Sequence, residues 1–297
     1  MLEKLKARIL FEMILKRPSI EKAYAMVGPE DSWYDTISKV HASLAQIQKL
    51  PHETIQMRSH DGLTLKAIYY PAEQPSDVTV ICAHGYTSHA EREWAFSGLF
   101  YHSLGYNVLI PYQRAHGLSE GKYLTFAALE QQDMMGWVEL MNRRSPAGSI
   151  LLHGLSMGGC IVLTLADKEM KNVKGIVADA PSTGVADFLR GVAGSVFKKE
   201  GPKVARCAME LFENTFGVKP EECQIQERVK GSRYPLFLCA GSTEKLEELF
   251  DALRKANPQE TEILILPGCA HGNGMYKQTE LYQGRLTAFA ARCTGDK

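Results

Sequence analysis

No charge of one sign dominates these 297 residues: lysine plus arginine and aspartate plus glutamate each total 34, and the formal net charge is zero. A chain so balanced has no global field to gather polyanions, so a nucleic-acid partner is not expected. No C-x-x-C pair occurs among the seven cysteines, Cys82, Cys160, Cys207, Cys223, Cys239, Cys269 and Cys293. Their odd number and scattered spacing argue against a disulfide framework and point to a reducing, cytoplasmic setting. Cys82 in VTVICA and Cys239 in PLFLCA sit inside apolar runs, where a free thiol acts as a small core hydrophobe. Long hydrophobic runs are missing as well. In MLEKLKARILFEMILKR, Glu12 separates Ile9–Phe11 from Met13–Leu15. Neither an export signal nor a membrane span, which takes roughly 20 apolar residues, is therefore expected. Neither H-E-x-x-H nor G-x-G-x-x-G occurs, and GLSEGK at 117–122 is one residue short of a phosphate-binding loop and lacks its serine or threonine.

What is present is the composition of a folded globular protein, 45% hydrophobic and 23% charged. The length favours one large domain with an insertion over two equal halves. Residues 1–50 read as a helical extension broken at Pro18 and Gly28–Pro29. Leu2, Leu5, Ile9 and Met13 recur near helical spacing, which predicts an amphipathic helix packing that stripe on the domain. From Leu50–Pro51 the pattern changes. ETIQMRS and LTLKAIYY flank His60–Asp61–Gly62, a hairpin signal. Short apolar runs then alternate with helical stretches: VTVICA (78–83), YNVLI (106–110), SILLHG (149–154), VKGIVAD (173–179), PLFLCA (235–240) and EILILPG (262–268). Helices are predicted between them, for example over Phe126–Arg144 and Met157–Met170. Unbroken apolar strands separated by helices imply an α/β fold, a mostly parallel sheet covered on both faces. The interval 181–234 contains no strand pattern but has Val185, Phe188, Leu189, Val192 and Val196, then Ala205, Met209, Phe212 and Phe216, near helical spacing. It is predicted to be a small helical cap inserted into a domain spanning 51–297.

The chemical signal is HGLSMGGC at 153–160, a G-x-S-x-G elbow after an apolar strand and before a helical run. A serine nucleophile needs a sharp turn that lifts its oxygen above the sheet, and glycines at 154 and 158 keep side chains out of that turn. Ser156 is thereby placed at a helix N-terminus, which favours developing negative charge. A hydroxyl also needs a base. In this architecture the partners follow in the order serine, acid, histidine, and His271 is the one histidine after Ser156. It lies in GCAHGNG, directly after the last predicted strand. The acid that orients the imidazole should also follow a strand. Glu244, after PLFLCAGST, is preferred, with Asp179 at the end of VKGIVAD as competitor. Glu244 also suits the start of the helix EKLEELFDALRKA, where a glutamate is favoured regardless of catalysis.

HGYTS (84–88), QRAHGLSEG (113–121), GLSMGG and the His271 loop together resemble the α/β-hydrolase superfamily of serine esterases, lipases and related peptidases. The resemblance covers about residues 53–294, and PYQRAHGLSEGKYLTF is similar to a bacterial branch described as lysophospholipase-like or aminopeptidase-like. It implies that the backbone N–H groups of Tyr86 and Met157 form an oxyanion hole and that His84 and His116 are loop scaffolding. Two positions depart from the family pattern. The usual His-Gly-x-x-Asp segment is replaced by Ala240, Gly241, Ser242, Thr243 and Glu244, while some relatives place the acid one strand earlier, at the position of Asp179. Tyr112 stands where an aspartate is common, a change expected to alter the pocket wall.

The expected reaction is hydrolysis of a small or medium carboxylic ester through an acyl-enzyme, with no metal or organic cofactor. The same machinery would serve an acyltransferase, a thioesterase or a peptidase. A halogen- or epoxide-cleaving relative would need an aspartate in place of Ser156. The contrary reading is a non-catalytic binding protein on a hydrolase scaffold, against which the intact Ser156 and His271 argue.

Overall fold

The apolar runs become the strands of one eight-stranded sheet in a computed structural model that describes residues 2–19, 31–257 and 260–295. The strands are β1 (Glu53–Arg58), β2 (Thr64–Tyr70), β3 (Val78–Ala83), β4 (Asn107–Pro111), β5 (Ser149–Leu155), β6 (Val173–Asp179), β7 (Leu236–Gly241) and β8 (Thr261–Leu266). They are ordered β1-β2-β4-β3-β5-β6-β7-β8. The β1–β2 hairpin and the β2–β4 pair are antiparallel, and every pair from β4 onward is parallel. β3 and β7 are buried along their whole length, which requires cover on both faces of the sheet.

Two hydrophobic cores provide that cover. The helices are α1 (Leu2–Leu15), α2 (Ile37–Ile47), α3 (Ala90–Ser103), α4 (Glu130–Arg144), α5 (Met157–Leu163), α6 (Val185–Phe197), α7 (Gly201–Phe216), α8 (Ile225–Lys230), α9 (Glu247–Ala256), α10 (Gly274–Lys277) and α11 (Thr279–Thr294). One core joins the sheet to α1, α4, α5 and the insertion helices α6–α8; the other joins it to α2, α3 and α11. The N-terminal extension therefore straddles the sheet, with α1 on one face and α2 on the other. The expected break at Pro18 follows the end of α1, whereas Gly28–Pro29 lies outside the described residues. Among the described residues, no helix is long and apolar enough to cross a membrane.

Three expectations are corrected. α1 does pack on the domain, but through Ala7, Leu10, Phe11, Ile14 and Leu15, while Leu2, Leu5, Ile9 and Met13 face outward. The helix predicted from Phe126 begins at Glu130, because the Glu130 carboxylate accepts from the N–H groups of Thr125 (2.6 Å) and Ala127 (3.0 Å) and from Thr125 Oγ1 (2.6 Å). That grip holds Phe126 and Ala127 at φ 53° and 81°, outside helical space. The helix predicted over Met157–Met170 stops at Leu163, and the chain continues in tighter turns, such as Leu165 N–H to the Val162 carbonyl at 3.2 Å.

Between β6 and β7, Val185 and Leu189 are buried on α6, and Ala205 and Phe212 on α7, as the spacing predicts. α7 starts with Gly201–Pro202 and ends at Gly217, whose φ of 69° is a left-handed cap that a glycine adopts without strain.

Candidate active site

Ser156 occupies the single residue between β5 and α5, with φ 58° and ψ −114°. Its neighbours explain the glycines. A Cβ on Gly154 would stand 2.1 Å from the Gly158 carbonyl oxygen, and one on Gly158 would stand 1.9 Å from the Ala83 oxygen. Either would be driven into backbone, so the elbow folds only with glycine at both positions. The Ser156 N–H donates to the Asp179 carbonyl (2.8 Å), and the Ser156 carbonyl accepts from Cys160 (3.0 Å) and Ser182 (3.2 Å). Thr87, Ala180 and Lys245 also have positive φ, near the ends of β3, β6 and β7. These three share the sheet edge with Ser156, and backbone held in such conformations is frequent at functional sites.

His271 follows β8 in a loop closed by Asn273, whose Oδ1 accepts the Ala270 N–H at 2.8 Å. Glu244 follows β7 in a short 3₁₀ turn, Ser242–Glu244. Its Oε1 accepts the Gly241 N–H (2.9 Å) and its Oε2 accepts from His271 Nδ1 (2.5 Å). The two loops are stitched together where Thr243 Oγ1 donates to the Cys269 carbonyl (2.9 Å) and the Gly268 N–H donates to Ser242 Oγ (3.0 Å). This approach needs Gly241, because a Cβ there would lie 2.3 Å from the Cys269 oxygen. Glu244 precedes α9, which begins at Glu247, and caps its own 3₁₀ turn by accepting the Gly241 N–H, so its other oxygen is the one that meets His271. Its hydrogen bond, outweighing desolvation, raises the His271 pKa above the usual 6.5. With Nδ1 committed to Glu244, Nε2 is left to accept a proton.

The structure separates the two candidate acids. Asp179 is buried at 2% exposure, accepts from the Tyr282 hydroxyl (3.1 Å) and, among the described residues, makes no hydrogen bond to His271. Burial raises its pKa to about 7. Tyr282 also shares a hydrogen bond with His153 Nε2 (3.2 Å), and His153 Nδ1 with Tyr101 (2.8 Å). Burial lowers the His153 pKa to about 3, which keeps that ring neutral beneath the elbow.

The loop after β3 closes the site. His84 Nε2 accepts the Gln113 N–H (3.1 Å), so Nδ1 carries the hydrogen and donates to the Gly85 carbonyl (2.9 Å). His116 packs edge-on against His84 at 4.7 Å and bonds the Arg114 carbonyl (3.0 Å). Both rings brace loops. Among the described residues, neither the Tyr86 nor the Met157 N–H meets an acceptor. The Tyr86 hydroxyl donates to the Ile14 carbonyl (2.8 Å), and its ring joins Phe126 and Phe188 in an aromatic wall. Tyr112 does not line the pocket, contrary to expectation. It is 3% exposed, and its hydroxyl donates to Glu91 (2.8 Å), which also accepts from Tyr70 (2.9 Å).

Glu93, on the first turn of α3, is a site residue that the sequence reading missed. Its Oε1 accepts the Gly85 N–H at 2.6 Å. Its Oε2 lies 3.2 Å from where a Gly85 Cβ would stand, and Ser156 Cβ lies 3.4 Å from the same point. Burial raises its pKa to about 7. Two acids in the first turn of α3, Glu91 and Glu93, read in sequence as ordinary complements to the helix dipole.

The loop that carries His271 packs against the serine elbow at one edge of the sheet. A Cβ on Gly272 would contact Leu155, the residue before Ser156, at 3.3 Å. Among the described residues, no hydrogen bond joins Ser156 Oγ to the imidazole. The extension reaches this loop too: Asn273 Nδ2 donates to the Ser32 carbonyl (2.9 Å) and Lys39 Nζ to the Tyr276 carbonyl (2.8 Å). A cavity of about 240 Å³ opens alongside, lined by Trp33, Ser88, Arg92, Glu93 and Tyr276 among others. The one cluster of described residues with metal-ligand spacing, His60, Asp61 and Asp133, lies elsewhere, and the Arg114 guanidinium engages both of its carboxylates (2.9 Å and 2.7 Å).

A family model described as serine aminopeptidase, S33, matches residues 74–220. The Bacillus subtilis protein YqkD is 33% identical over 143 residues, 48% of this chain and 46% of its own length. Protein bem46 of Schizosaccharomyces pombe is 24% identical over 166 residues, 55% of this chain and 54% of its own. The chain thus spans about half the length of the curated relatives it matches. Among solved structures, the Pyrococcus furiosus esterase Pf2001 superimposes with a TM-score of 0.66 at 22% identity, covering 94% of this chain and 98% of that one.

Proposed function

We propose that this chain, which has the α/β-hydrolase fold and matches a family model described as serine aminopeptidase, S33, over residues 74–220, is a serine hydrolase cleaving carboxylic esters through an acyl-enzyme. The observation that carries the reading is the 2.5 Å pairing of Glu244 Oε2 with His271 Nδ1 beside a serine held at φ 58°. In the proposed cycle, His271 Nε2 removes the Ser156 proton as Oγ attacks the acyl carbon. The Tyr86 and Met157 N–H groups receive the oxyanion, a service whose loss costs about 10²–10³ in rate. His271 then protonates the departing alcohol and next activates the water that frees the acid, while Glu244 stabilises the imidazolium. In this reading the Ser156–His271 hydrogen bond forms as substrate binds.

In this reading the helices between β6 and β7 act as the cap, and the Tyr86, Phe126 and Phe188 wall receives an apolar acyl or alcohol group of modest size. The family description favours asking about amides as well. The test is fluorophosphonate labelling with peptide mapping, followed by turnover of a p-nitrophenyl ester chain-length series and of aminoacyl anilides. The proposal expects the label on Ser156, ester turnover with an optimum in chain length, and loss of both in Ser156→Ala. An unlabelled serine, or anilides cleaved in preference to every ester, would overturn it.

A further inference from the structure

We propose that the outward face of α1, together with the basic turn between α6 and α7, docks the protein on an anionic lipid bilayer. α1 has two apolar faces, and one is already used: Leu10, Phe11, Ile14 and Leu15 are buried against the domain. On the opposite side Leu2, Leu5, Ile9 and Met13 are 58%, 59%, 54% and 50% exposed. Apolar exposure continues around this corner. Val196 is 51% exposed beside Phe197, whose ring lies under Lys6 at 5.9 Å. Leu118 is 51% exposed between two carbonyls, Gly117 and Ser119, that accept from Arg17 (2.5 Å and 2.6 Å). Of the exposed large apolar side chains among the described residues, only Tyr34 and Leu281 lie elsewhere. An apolar patch this concentrated marks an interaction surface.

Its charge selects the partner. α1 places Lys4 and Arg8 beside the apolar stripe, Arg8 paired with Glu12 (3.1 Å), Lys16 follows the helix end, and the Lys6–Glu200 ion pair (2.5 Å) draws the turn bearing Lys198 and Lys199 against it, so that the cations still outnumber Glu3, Glu12 and Glu200. The chain as a whole carries no net charge, so this cationic excess is local. An exposed apolar stripe bordered by lysine and arginine is the pattern of a helix lying in a membrane interface, where the cations meet anionic headgroups. A second copy of the chain is the poorer fit, because a two-fold contact through α1 would set one basic corner against another. The surface also borders the candidate active site, since the Ile14 carbonyl at the far end of α1 accepts from Tyr86. Docking here would bring amphiphilic esters to that edge, although the docking proposal does not depend on catalysis.

The test is co-sedimentation of the full chain with phosphatidylcholine vesicles, with and without phosphatidylglycerol, for the parent, a Leu5→Glu/Ile9→Glu variant and a Lys198→Glu/Lys199→Glu variant. Binding is expected on the phosphatidylglycerol vesicles, with at least about tenfold weakening on phosphatidylcholine alone, in high salt and in either variant. All the substituted side chains are exposed, so circular dichroism and the melting temperature should be unchanged. The proposal falls if parent and variants sediment alike, if none sediments, or if light scattering shows a dimer of the parent that Leu5→Glu/Ile9→Glu splits into monomers.

Discussion

The indole of Trp33 donates its Nε1 hydrogen to the carbonyl oxygen of His271, 3.1 Å away and 238 residues later in the chain. A second bond, from Asn273 Nδ2 to the Ser32 carbonyl (2.9 Å), attaches the same loop to the same segment. A general base works only if its nitrogen is held to a fraction of an ångström, and these two bonds add to those from Ser242, Thr243 and Glu244 in fixing the loop beyond the last strand. Replacing Trp33 with Phe keeps a ring beside Tyr276, now 5.6 Å away edge-on, but deletes the donor. The expected result is a fall of about 3- to 10-fold in kcat with KM and melting temperature nearly unchanged. Steady-state kinetics on a soluble ester decides it; an effect confined to KM would assign Trp33 to substrate contact instead.

The two acids after β6 and β7 make opposite predictions. Glu244→Gln keeps the shape but cannot stabilise the imidazolium, so kcat should fall by about four orders of magnitude. Asp179→Asn, which still accepts from Tyr282, should stay within a few-fold of the parent. The pH profiles add a signed test. In the proposed cycle neutral His271 is the base, and its pKa lies above 6.5 because of Glu244, so kcat/KM should rise with pH through a midpoint above 6.5. In Glu244→Gln the residual activity should titrate at lower pH. Asp179 separates the two in stability as well. Its folded pKa of about 7 exceeds the ordinary 3.8, so the native state holds an extra proton between those values and loses stability as pH rises through them. Asp179→Asn should therefore gain in melting temperature relative to the parent at pH 8 compared with pH 4.

Much of this site could be read before folding, and the reason differs by residue. Ser156 was legible because the Gly154–Gly158 frame records a collision that only glycine avoids. The central strands were legible because burial on both faces leaves unbroken apolar runs, and Val78–Ala83 and Val173–Asp179 match their runs end to end. Glu244 was legible as an acid after a strand, but its pairing depends on how closely Gly241 approaches Cys269, which is set by the tertiary fold. The packing face of α1 was not legible. Leu2, Leu5, Ile9 and Met13 have the same periodicity as Leu10 and Ile14, and period alone cannot choose between two apolar faces of one helix. Phe126–Ala127 has helical composition and is held out of the helix by the Glu130 carboxylate, a local hydrogen-bond pattern that propensity does not record.

Arg114 joins the β1–β2 turn to α4 and offers a test of stability. Its guanidinium is 2% exposed and bonds Asp133 (2.7 Å and 2.8 Å) and Asp61 (2.9 Å and 3.1 Å). Arg114→Met fills the space and leaves Asp133 buried without its partner, a loss of about 3–5 kcal/mol at pH 8. Burial already raises the Asp133 pKa to about 6. Below that value the orphaned carboxyl takes up a proton and sheds its charge, so the loss should shrink at pH 5. Urea denaturation at the two pH values measures both. Equal losses would mean that packing, not the stranded charge, sets the cost.

Glu93 is placed to position the turn that presents the Tyr86 N–H, since its carboxylate accepts the neighbouring Gly85 N–H at 2.6 Å. Glu93→Ala releases that turn. If the Tyr86 N–H serves the oxyanion, kcat should drop by about 10²-fold while KM moves by no more than a few-fold, because the interaction matters mainly in the transition state. Glu93→Gln retains an acceptor oxygen and should recover most of that loss. The pH profile separates positioning from simple support. The parent has a second ionisation near 7, that of Glu93 itself, in which the charged acceptor is lost as pH falls. The acid limb of the parent should therefore be steeper than a single ionisation, and that of Glu93→Gln should follow His271 alone. A parent limb already described by one proton, or an Ala variant that turns over as fast as the parent, would remove Glu93 from the machinery and leave it a buried acid under a loop.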